Sequence, residues 1–505
     1  MPYKKLSNIQ INPPLLWAFA ILVGVNVFIN TGEIAPNDFW WHMAVGREIL
    51  HSGQIPLIDT FSHTMYGAPY PSYQIFWLMD LWLYGWYILG GPNLVLFIHS
   101  LLITGIYALV LYLCWKLTKD WKSAAFGLAV AILFGFYTWN VRPQAISFLF
   151  GSIFLLAIYS FRLKPKIYWL VILPLVMVLW VNSHGSFIIG IVMLGIWFLD
   201  ELQKAIRSRW QHSIIDTDRL LPAFSALILT AAASLINPQG INIIAYVWRM
   251  LINPVNRINV QEWESPIYTP MGPIFIIGLV ICIVLIAISP RKPTFYEVTS
   301  LLLFGILAFL MVRGVIWFGL VAAPITAVYL NDLLKVYNFP ASRKIPDSLG
   351  RAINISAIIL ILILALISLP WMRNAIPGIL IRGSVIRSDT PIEATEFLLN
   401  EGIPGNIFND MVFGSYLIWA AQPKYKVYSD PRVELFDIEI WDDYGEIVTA
   451  SSTWEEKLDK YDVNTLILNR EEQGPLISAL SNHQIWQVVY HDETALIYVK
   501  TYPSP

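Results

Sequence analysis

An acidic residue and a histidine stand four positions apart in the segment NDFWWHMAVGREIL. They are Asp38 and His42, and side chains with this spacing share one face of a helix. A carboxylate at a helix start can act as a general base or hold a metal ion, and it can also cap free backbone amides. We predict that Asp38 is catalytic and that His42 contacts substrate. Helix capping by Asp38 and a purely interfacial role for His42 are the alternatives.

The same spacing recurs at Asp59 and His63, in a loop-like context. Metal ligation by this pair is one interpretation, and capping of loop amides by Asp59 is favoured over it. Asp430 and Arg432 stand close together in KVYSDPRVELFD. We predict that these two residues pair in a turn after a strand.

Further polar residues stand at the ends of later apolar stretches. They are Asn140, Arg142, Gln144, Asn182, His184, Asn237, Gln239, Glu262, Glu264 and Arg313. An ionisable residue at the end of a membrane span is often only structural, but two arginines beside carboxylates also suit a phosphate group. We predict that Arg142 and Arg313 bind phosphate, and their pairing with Glu262 or Glu264 is the alternative.

Three other members of this set are candidate contacts for a substrate. Asn182 and His184 stand together in WVNSHGSF, and Glu264 stands in QEWESP. Amide and imidazole groups can orient a bound molecule through hydrogen bonds. We therefore predict that Asn182 and His184 orient substrate groups and that Glu264 is a second acidic residue of the site.

The elements that position these residues are predicted to be membrane helices. The 505 residues are 56% hydrophobic and only 13% charged, about half the charged share of a soluble domain. A net charge of −2 gives no basic field for a nucleic acid. Cys114 and Cys282 lie in apolar stretches, which argues against a disulfide framework or a thiolate metal site.

Eleven stretches approach the roughly 20 apolar residues that a membrane span needs. They lie near 13–31, 93–115, 123–139, 144–161, 167–182, 186–206, 220–236, 272–289, 295–312, 316–335 and 353–370. The Trp- and Tyr-rich segment 71–90 is predicted to be interfacial or re-entrant.

Basic residues orient these spans, because short cytoplasmic loops are enriched in Lys and Arg. Lys4 and Lys5 place the N-terminus in the cytoplasm. Five later loops then fall on the same side, with Lys116, Lys119, Lys122, Arg162, Lys164, Lys166, Arg207, Arg209, Arg291, Lys292, Arg343, Lys344 and Arg351. The candidate site residues all fall on the opposite, extracytoplasmic side of a cytoplasmic or inner membrane.

The chain is predicted to have two parts. Residues 1–370 form the transmembrane domain, whose first extracytoplasmic loop spans 32–92 and carries interfacial helices. Residues 371–390 form a linker, and 391–505 form a soluble extracytoplasmic α/β domain. In that domain a helix ends at Gly402, and strands are expected at GNIFND, KYKVYSD, VNTLILN and TALIYVK, because short β runs alternate with helices.

Several motifs, in their order along the chain, resemble bacterial GT-C membrane glycosyltransferases of the protein mannosyltransferase or aminoarabinose transferase type. They are NDFWWHMAVGREIL, IPLIDTFS, VRPQAISF, WVNSHGSF, INPQG, QEWESP and VRGVIWFGLVAAP. The resemblance covers nearly the whole chain. It implies an α-helical polytopic protein with about eleven transmembrane helices, a large first outer loop and a small outer C-terminal domain.

The resemblance also implies a function and a role for one residue. In that family the donor is a polyprenyl-phosphate-linked sugar, and an acidic residue just after the first span is the base or a metal-associated carboxylate. Asp38 occupies the matching position. Many relatives have two adjacent acidic residues there, whereas Asn37 precedes Asp38 here. A divalent metal ion is thus a candidate cofactor, and a lipid-linked sugar and membrane lipid are the expected partners.

Two rival functions come from other classes. A non-catalytic subunit of a membrane protein complex could use the same scaffold for docking, because fold does not dictate function; the single acid at Asn37–Asp38 and the many Trp and Tyr residues favour this alternative. A transporter is disfavoured, because the spans show no matching pair of Gly- or Pro-broken segments.

Overall fold

The computed structural model describes residues 13–210, 218–255, 260–337, 347–375, 383–403 and 405–501. Within these ranges a bundle of α-helices is followed by a small α/β domain. The bundle helices are α1 (Pro13–Asn30), α2 (Phe39–Ser52), α3 (Tyr73–Thr118), α4 (Trp121–Gly135), α5 (Ala145–Leu163), α6 (Tyr168–Val181), α7 (Ile188–Trp210), α8 (Leu220–Ala233), α9 (Asn242–Ile252), α10 (Gly272–Ile288), α11 (Phe295–Leu310), α12 (Val312–Tyr337) and α13 (Asp347–Ile367).

Six helices in the described ranges are long and apolar enough to cross a membrane. They are Pro13–Asn30, Tyr73–Thr118, Trp121–Thr138, Ala145–Leu163, Gly185–Trp210 and Val312–Tyr337. The other five predicted spans coincide with shorter apolar helices, at Tyr168–Val181, Leu220–Ala233, Gly272–Ile288, Phe295–Leu310 and Ala352–Ile367. The chain is therefore a multi-pass membrane protein with the helical architecture predicted from its sequence.

Local sequence explains where several helices begin, end or bend. Asp120 caps α4 by accepting a hydrogen bond from the amide of Ser123 at 2.8 Å, and Thr294 forms a capping box with Glu297 at the start of α11, so free amides are satisfied in both helices. The segment 71–90 is helical and continues into the span of α3. The helix is broken at Gly91, which has a φ of 65°, a conformation that suits glycine.

The most buried of the long apolar helices in the described ranges is α12, which lies at the centre of the bundle. It packs against α4, where small residues let the two backbones approach. A Cβ atom at Gly127 would fall 2.8 Å from the backbone oxygen of Ala323. Close approach of this kind is the usual basis of helix packing in lipid.

Basic residues of the loops predicted to be cytoplasmic meet at one end of the bundle. Lys116 donates to Ser160 at 2.5 Å, and Arg162 pairs with Asp200 at 2.9 Å. Arg162 and Arg291 line one small pocket there. Lys4, Lys5, Arg343, Lys344 and the side chain of Arg351 lie outside the described residues.

The C-terminal domain is a four-stranded mixed sheet with helices. Its elements are α14 (Ile392–Glu401), β1 (Asn406–Asn409), α15 (Met411–Ala421), α16 (Ile438–Val448), α17 (Trp454–Lys460), β2 (Val463–Asn469), α18 (Gly474–Leu480), β3 (Trp486–His491) and β4 (Ala495–Lys500). The strand order is β1-β2-β4-β3. Strands β1 and β2 run parallel, and β4 is antiparallel to both β2 and β3.

Most of the expected elements of this domain are present. Helix α14 ends at Gly402, which has a φ of 62°, and three of the four expected strands are β1, β2 and β4. The fourth expectation is wrong: KYKVYSD at 424–430 is not a strand of the sheet, and Val427 instead forms an isolated bridge with Ser62. Strand β3 was not foreseen, because its exposed residues lack a clear alternating pattern.

The domain sits directly on the first loop. The amide of Trp41 donates to Ser415 Oγ at 3.1 Å, and the guanidinium of Arg47 stacks 4.4 Å above the ring of Trp419. Just before the domain, Ile386 forms a bridge with Ile34. The C-terminal domain therefore covers the end of the bundle opposite the basic loops.

Candidate functional site

A cavity of about 700 Å³ lies between the helical bundle and the C-terminal domain. Its walls come from the α1–α2 and α4–α5 connections, the segment before α10, the start of α12 and the first part of the C-terminal domain. The wall includes Asp38, Arg142, His184, Glu262 and Arg313. Charged residues distant in sequence thus meet in one cavity at one end of an apolar bundle.

Asp38 faces this cavity and does not cap α2. It occupies the N-cap position, but its side chain accepts no capping hydrogen bond. The carboxylate is 27% exposed and lies 3.4 Å from Nε of Arg142. Burial raises the pKa of Asp38 above its ordinary value, and the neighbouring Arg142 only partly offsets this. The capping alternative is therefore wrong for the side chain.

Glu262 joins the two predicted phosphate-binding arginines. One carboxylate oxygen pairs with Arg142, and the other lies 2.8 Å from Nε of Arg313. Burial alone would raise the pKa of Glu262, but the two arginines outweigh burial and hold the pKa at about 2. The structure thus contains the alternative pairing of both arginines with Glu262. One chain of alternating charge is formed by Asp38, Arg142, Glu262 and Arg313.

The segment that carries Glu262 is fixed on α12. Glu262 lies in a 3-10 helix, Gln261–Trp263, and the backbone oxygen of Glu264 accepts a hydrogen bond from the amide of Val312 at 2.9 Å. The side chain of Glu264 is exposed and is not part of the cavity wall. The acidic residue that reaches the arginines is therefore Glu262, and the prediction for Glu264 is corrected.

His42 lines the cavity and contacts a buried carboxyl group behind it. Its Nδ1 lies 2.6 Å from Oδ1 of Asp80, and its ring stacks on Trp41 with 3.5 Å between centroids. Burial lowers the pKa of His42 well below its ordinary value, and His184, Arg142 and Arg432 lower it further. His42 is therefore an uncharged imidazole near neutral pH.

His184 also lines the cavity and follows α6. Its Nδ1 accepts a hydrogen bond from the amide of Ser186 at 3.1 Å. Burial lowers its pKa to about 3, and Arg313 contributes to this shift. Like His42, it is uncharged near neutral pH.

Asn182 does not reach the cavity, because its amide group is used inside the bundle. Its Nδ2 donates to the backbone oxygens of Val178 and Ile236, each at 2.8 Å, and its Oδ1 accepts from Nε1 of Trp77 at 2.9 Å. Asn182 therefore has a structural role inside the bundle in place of the predicted contact with substrate. Asn140 and Gln144 do line the cavity.

A buried ion cluster fastens the C-terminal domain to the first loop. Arg432 lies 2.6 Å from Asp59 and 2.7 Å from Asp430, and all three side chains are fully buried. Asp59 also accepts hydrogen bonds from the amides of Phe61 at 3.2 Å and Ser62 at 3.0 Å. The expected capping by Asp59 and the expected Asp430–Arg432 pair are both confirmed.

The metal interpretation of the first loop is not supported. Nε2 of His63 bonds to the backbone oxygen of Ile407 at 3.0 Å, away from Asp59. Among the described residues, no three His, Cys, Asp or Glu side chains converge as metal ligands. Because Asp38 pairs with Arg142 and Asn37 precedes it, the described residues around Asp38 do not fit a metal site.

Two members of the site could not be assigned from the sequence. Arg432 comes from the other domain, and nothing near it in the chain indicates that it lies beside Asp59. Asp80 is a lone acid in the apolar segment QIFWLMDLWLYGWY, and a carboxylate in such surroundings is a signal of a functional or paired group. That signal could have drawn attention to Asp80, although not to its partner.

Comparison with known proteins identifies the fold. No family model matches the chain, and no curated protein matches it. Among solved structures, the archaeal oligosaccharyltransferase AglB from Archaeoglobus fulgidus, in complex with an inhibitory peptide and a dolichol-phosphate, is 13% identical over 96% of this chain and 74% of its own length, with a TM-score of 0.51.

Two further solved structures are similar over nearly the whole chain. ArnT from Cupriavidus metallidurans, bound to undecaprenyl phosphate, is 12% identical over 97% of this chain and 99% of its own, with a TM-score of 0.50. The arabinofuranosyltransferase AftD from Mycobacteria is 12% identical over 98% of this chain and 42% of its own, with a TM-score of 0.52. The chain therefore has the GT-C fold that its motifs predicted.

Proposed function

We propose that this chain is a membrane glycosyltransferase that moves a sugar from a polyprenyl-phosphate-linked donor to an acceptor on the extracytoplasmic side of the membrane. The observation that carries the proposal is the environment of Asp38, at the end of α2 that faces the cavity. There Asp38 is free of any capping bond, has a raised pKa and lies beside Arg142. A carboxylate with these properties suits general base catalysis.

The proposed reaction joins these groups in one step. Asp38 takes the proton of an acceptor hydroxyl, whose oxygen forms a bond to the anomeric carbon of the donor sugar. The bond between that carbon and the phosphate oxygen breaks, and the lipid phosphate leaves with the electron pair. Negative charge grows on the phosphate, and nearby cationic donors stabilise it. Arg142 and Arg313 are two of the three arginines that line the cavity; the third, Arg432, is buried between Asp59 and Asp430.

The charge balance of the cavity bears on donor binding. Arg142 and Arg313 are each paired with Glu262, and Arg142 is also paired with Asp38. A phosphate must therefore share the arginines with carboxylates already present. Because an Arg guanidinium carries five N–H donors, each arginine has further donors for a phosphate oxygen while it remains paired.

Two observations support the lipid donor and the sidedness. ArnT binds undecaprenyl phosphate and AglB binds a dolichol-phosphate in structures of the same fold. The cavity lies at the end of the bundle opposite Lys116 and Arg162, and loops rich in Lys and Arg favour the cytoplasm. An extracytoplasmic cavity that opens beside the apolar bundle suits a lipid-linked donor.

The proposal is tested by sugar transfer in membranes that contain the chain. Radiolabelled sugars on polyprenyl phosphate serve as donors, and wild type is compared with Asp38→Asn. We expect transfer by the wild type and a loss of about 10²–10⁴-fold in the variant, the usual contribution of a general base. Asp437→Asn is the matched control, because Asp437 is also an N-cap residue without a capping bond, but is exposed and is not part of the cavity wall. Equal activity of wild type and Asp38→Asn would overturn the role of Asp38.

A non-catalytic subunit of a membrane complex is the remaining alternative. Folded wild-type protein that transfers no sugar from any donor of the panel, and that co-purifies with fixed partners, would favour it. The cavity lined by Asp38, Arg142 and His184 favours the enzyme, because a docking scaffold has no need for such a group.

A further inference from the structure

Two histidines of the cavity each have one ring nitrogen occupied by the protein. Nδ1 of His42 is bonded to Asp80, and Nδ1 of His184 to the amide of Ser186. The ring of Phe76 contacts both imidazoles, with centroid distances of 5.2 and 5.5 Å. The nitrogen that each ring has left for a ligand in the cavity is Nε2.

The proton of His184 is placed by its backbone contact. A backbone N–H can only donate, so Nδ1 of His184 must be the unprotonated, accepting nitrogen. Burial keeps the ring uncharged by lowering its pKa to about 3. The single ring proton is therefore on Nε2.

The proton of His42 is placed by the surroundings of Asp80. Asp80 is fully buried, and within the described residues its Oδ2 has no hydrogen-bond partner and His42 is its one ion-pair contact. An ionised carboxylate in such a place is strongly disfavoured. With an uncharged Asp80 that donates its proton to Nδ1, the ring proton of His42 is also on Nε2.

The backbone holds this pair in register. A Cβ atom at Gly46 would overlap the backbone carbonyl of Asp80, so α2 and α3 are in closest contact one helical turn after His42. This contact brings Asp80 beneath the imidazole. The pair is therefore built into the packing of the two helices.

We propose that His42 and His184 are two uncharged hydrogen-bond donors that bind the phosphate of the lipid-linked donor through Nε2–H, with Asp80 as the positioning residue that sets the proton of His42. The inference rests on the proposed function and deepens it. Arg142 and Arg313 are already shared with Asp38 and Glu262, and neutral N–H donors add phosphate contacts without attracting those carboxylates. A hydrogen bond to a charged group corresponds to roughly tenfold or more in affinity.

The test is equilibrium binding of undecaprenyl phosphate to the purified full-length chain. We expect His42→Phe to weaken binding about tenfold or more. Asp80→Asn should bind within about twofold of wild type, because the amide N–H still donates to Nδ1 and keeps the proton on Nε2. Asp80→Leu should weaken binding, because it leaves the ring proton free to move to Nδ1.

Controls separate the phosphate contact from other effects. His51→Phe, at an exposed position near the end of the same helix, should bind like wild type. Undecaprenol, which lacks the phosphate, should bind wild type and His42→Phe equally. Histidine ¹⁵N NMR tests the position of the ring proton without any ligand. The His42 signals are assigned by their loss in the His42→Phe spectrum. They should show a ring that is protonated only at Nε2.

Several outcomes would overturn the inference. They are unchanged phosphate-lipid binding in His42→Phe, equal loss in Asp80→Asn and Asp80→Leu, and a His42 ring protonated at Nδ1 or at both nitrogens. A wild-type chain that does not bind undecaprenyl phosphate would overturn both this inference and the proposed donor. Binding that behaves as expected, in a chain that transfers no sugar, would remove the proposed function alone.

Discussion

The ion cluster around Arg432 is expected to hold the C-terminal domain on the first loop, and Arg432→Met tests this. The substitution removes the cation that lies 2.6 Å from Asp59 and 2.7 Å from Asp430. Both carboxylates would remain buried without their cationic partner. Breaking a buried ion pair in this way costs about 3–5 kcal/mol.

This cost has a measurable local consequence. Because each 1.36 kcal/mol is a factor of ten, a loss of about 3–5 kcal/mol raises the population of the locally open state by roughly 10²–10⁴-fold. The amides of Phe61 and Ser62 donate to Asp59, so their exchange with solvent deuterium should accelerate by up to this factor. Hydrogen–deuterium exchange on peptides that cover 59–73 and 427–435 measures the effect.

A matched control lies within the same chain. Arg387 and Asp389 have the same two-residue spacing, but the pair is exposed, and exposed ion pairs contribute little. Arg387→Met should leave exchange and thermal stability near the wild-type values. Unchanged exchange around Phe61 in Arg432→Met would refute the conclusion that the cluster fastens the two domains.

Three further predictions concern pH and packing. The charge of Glu262 raises the pKa of Asp38, so in Glu262→Gln the acid limb of kcat/KM should move to lower pH; an unchanged limb or a shift to higher pH in the pH–rate profile would contradict this. Burial raises the pKa of Asp410 to about 6. Between about pH 4 and 6 the carboxyl group is therefore protonated in the folded state and ionised in the unfolded state. The stability that this bound proton contributes is lost as pH rises. The Tm of Asp410→Asn relative to wild type should therefore increase from pH 4 to 7, and a flat difference would argue against it. Gly46→Ala should push α2 away from α3, destabilise the folded state by about 1–3 kcal/mol and so lower Tm. Gly85→Ala should leave Tm unchanged, because a Cβ atom there meets no atom within 4 Å. Equal Tm values for the two variants would contradict the close contact.

Much of the fold was accessible from the sequence, because apolar length and loop charge act locally along the chain. All eleven predicted spans coincide with helices, and β2 has the bounds of the expected segment. The error at 424–430 has a tertiary cause, since that segment pairs with the first loop through Val427 and Ser62. Alternation alone could not tell a sheet strand from such a segment.

The candidate site was accessible in part. The loop charges predicted that Asp38, Arg142 and Arg313 lie on the same side of the membrane. The structure places these three residues around one cavity. The choice between Glu262 and Glu264 could not be made, because it depends on how a short 3-10 helix presents its side chains. The contact between His42 and Asp80 also lay beyond the sequence, since it is set by the packing of α2 on α3.

The most direct test of the central claim is a structure of the chain with undecaprenyl phosphate. We predict that the phosphate lies in the cavity between the bundle and the C-terminal domain, within hydrogen-bonding distance of Arg142 and beside Asp38, with the lipid chain against the apolar helices. A phosphate bound elsewhere, or a cavity still without lipid at saturating concentration, would contradict the assignment of this cavity as the donor site.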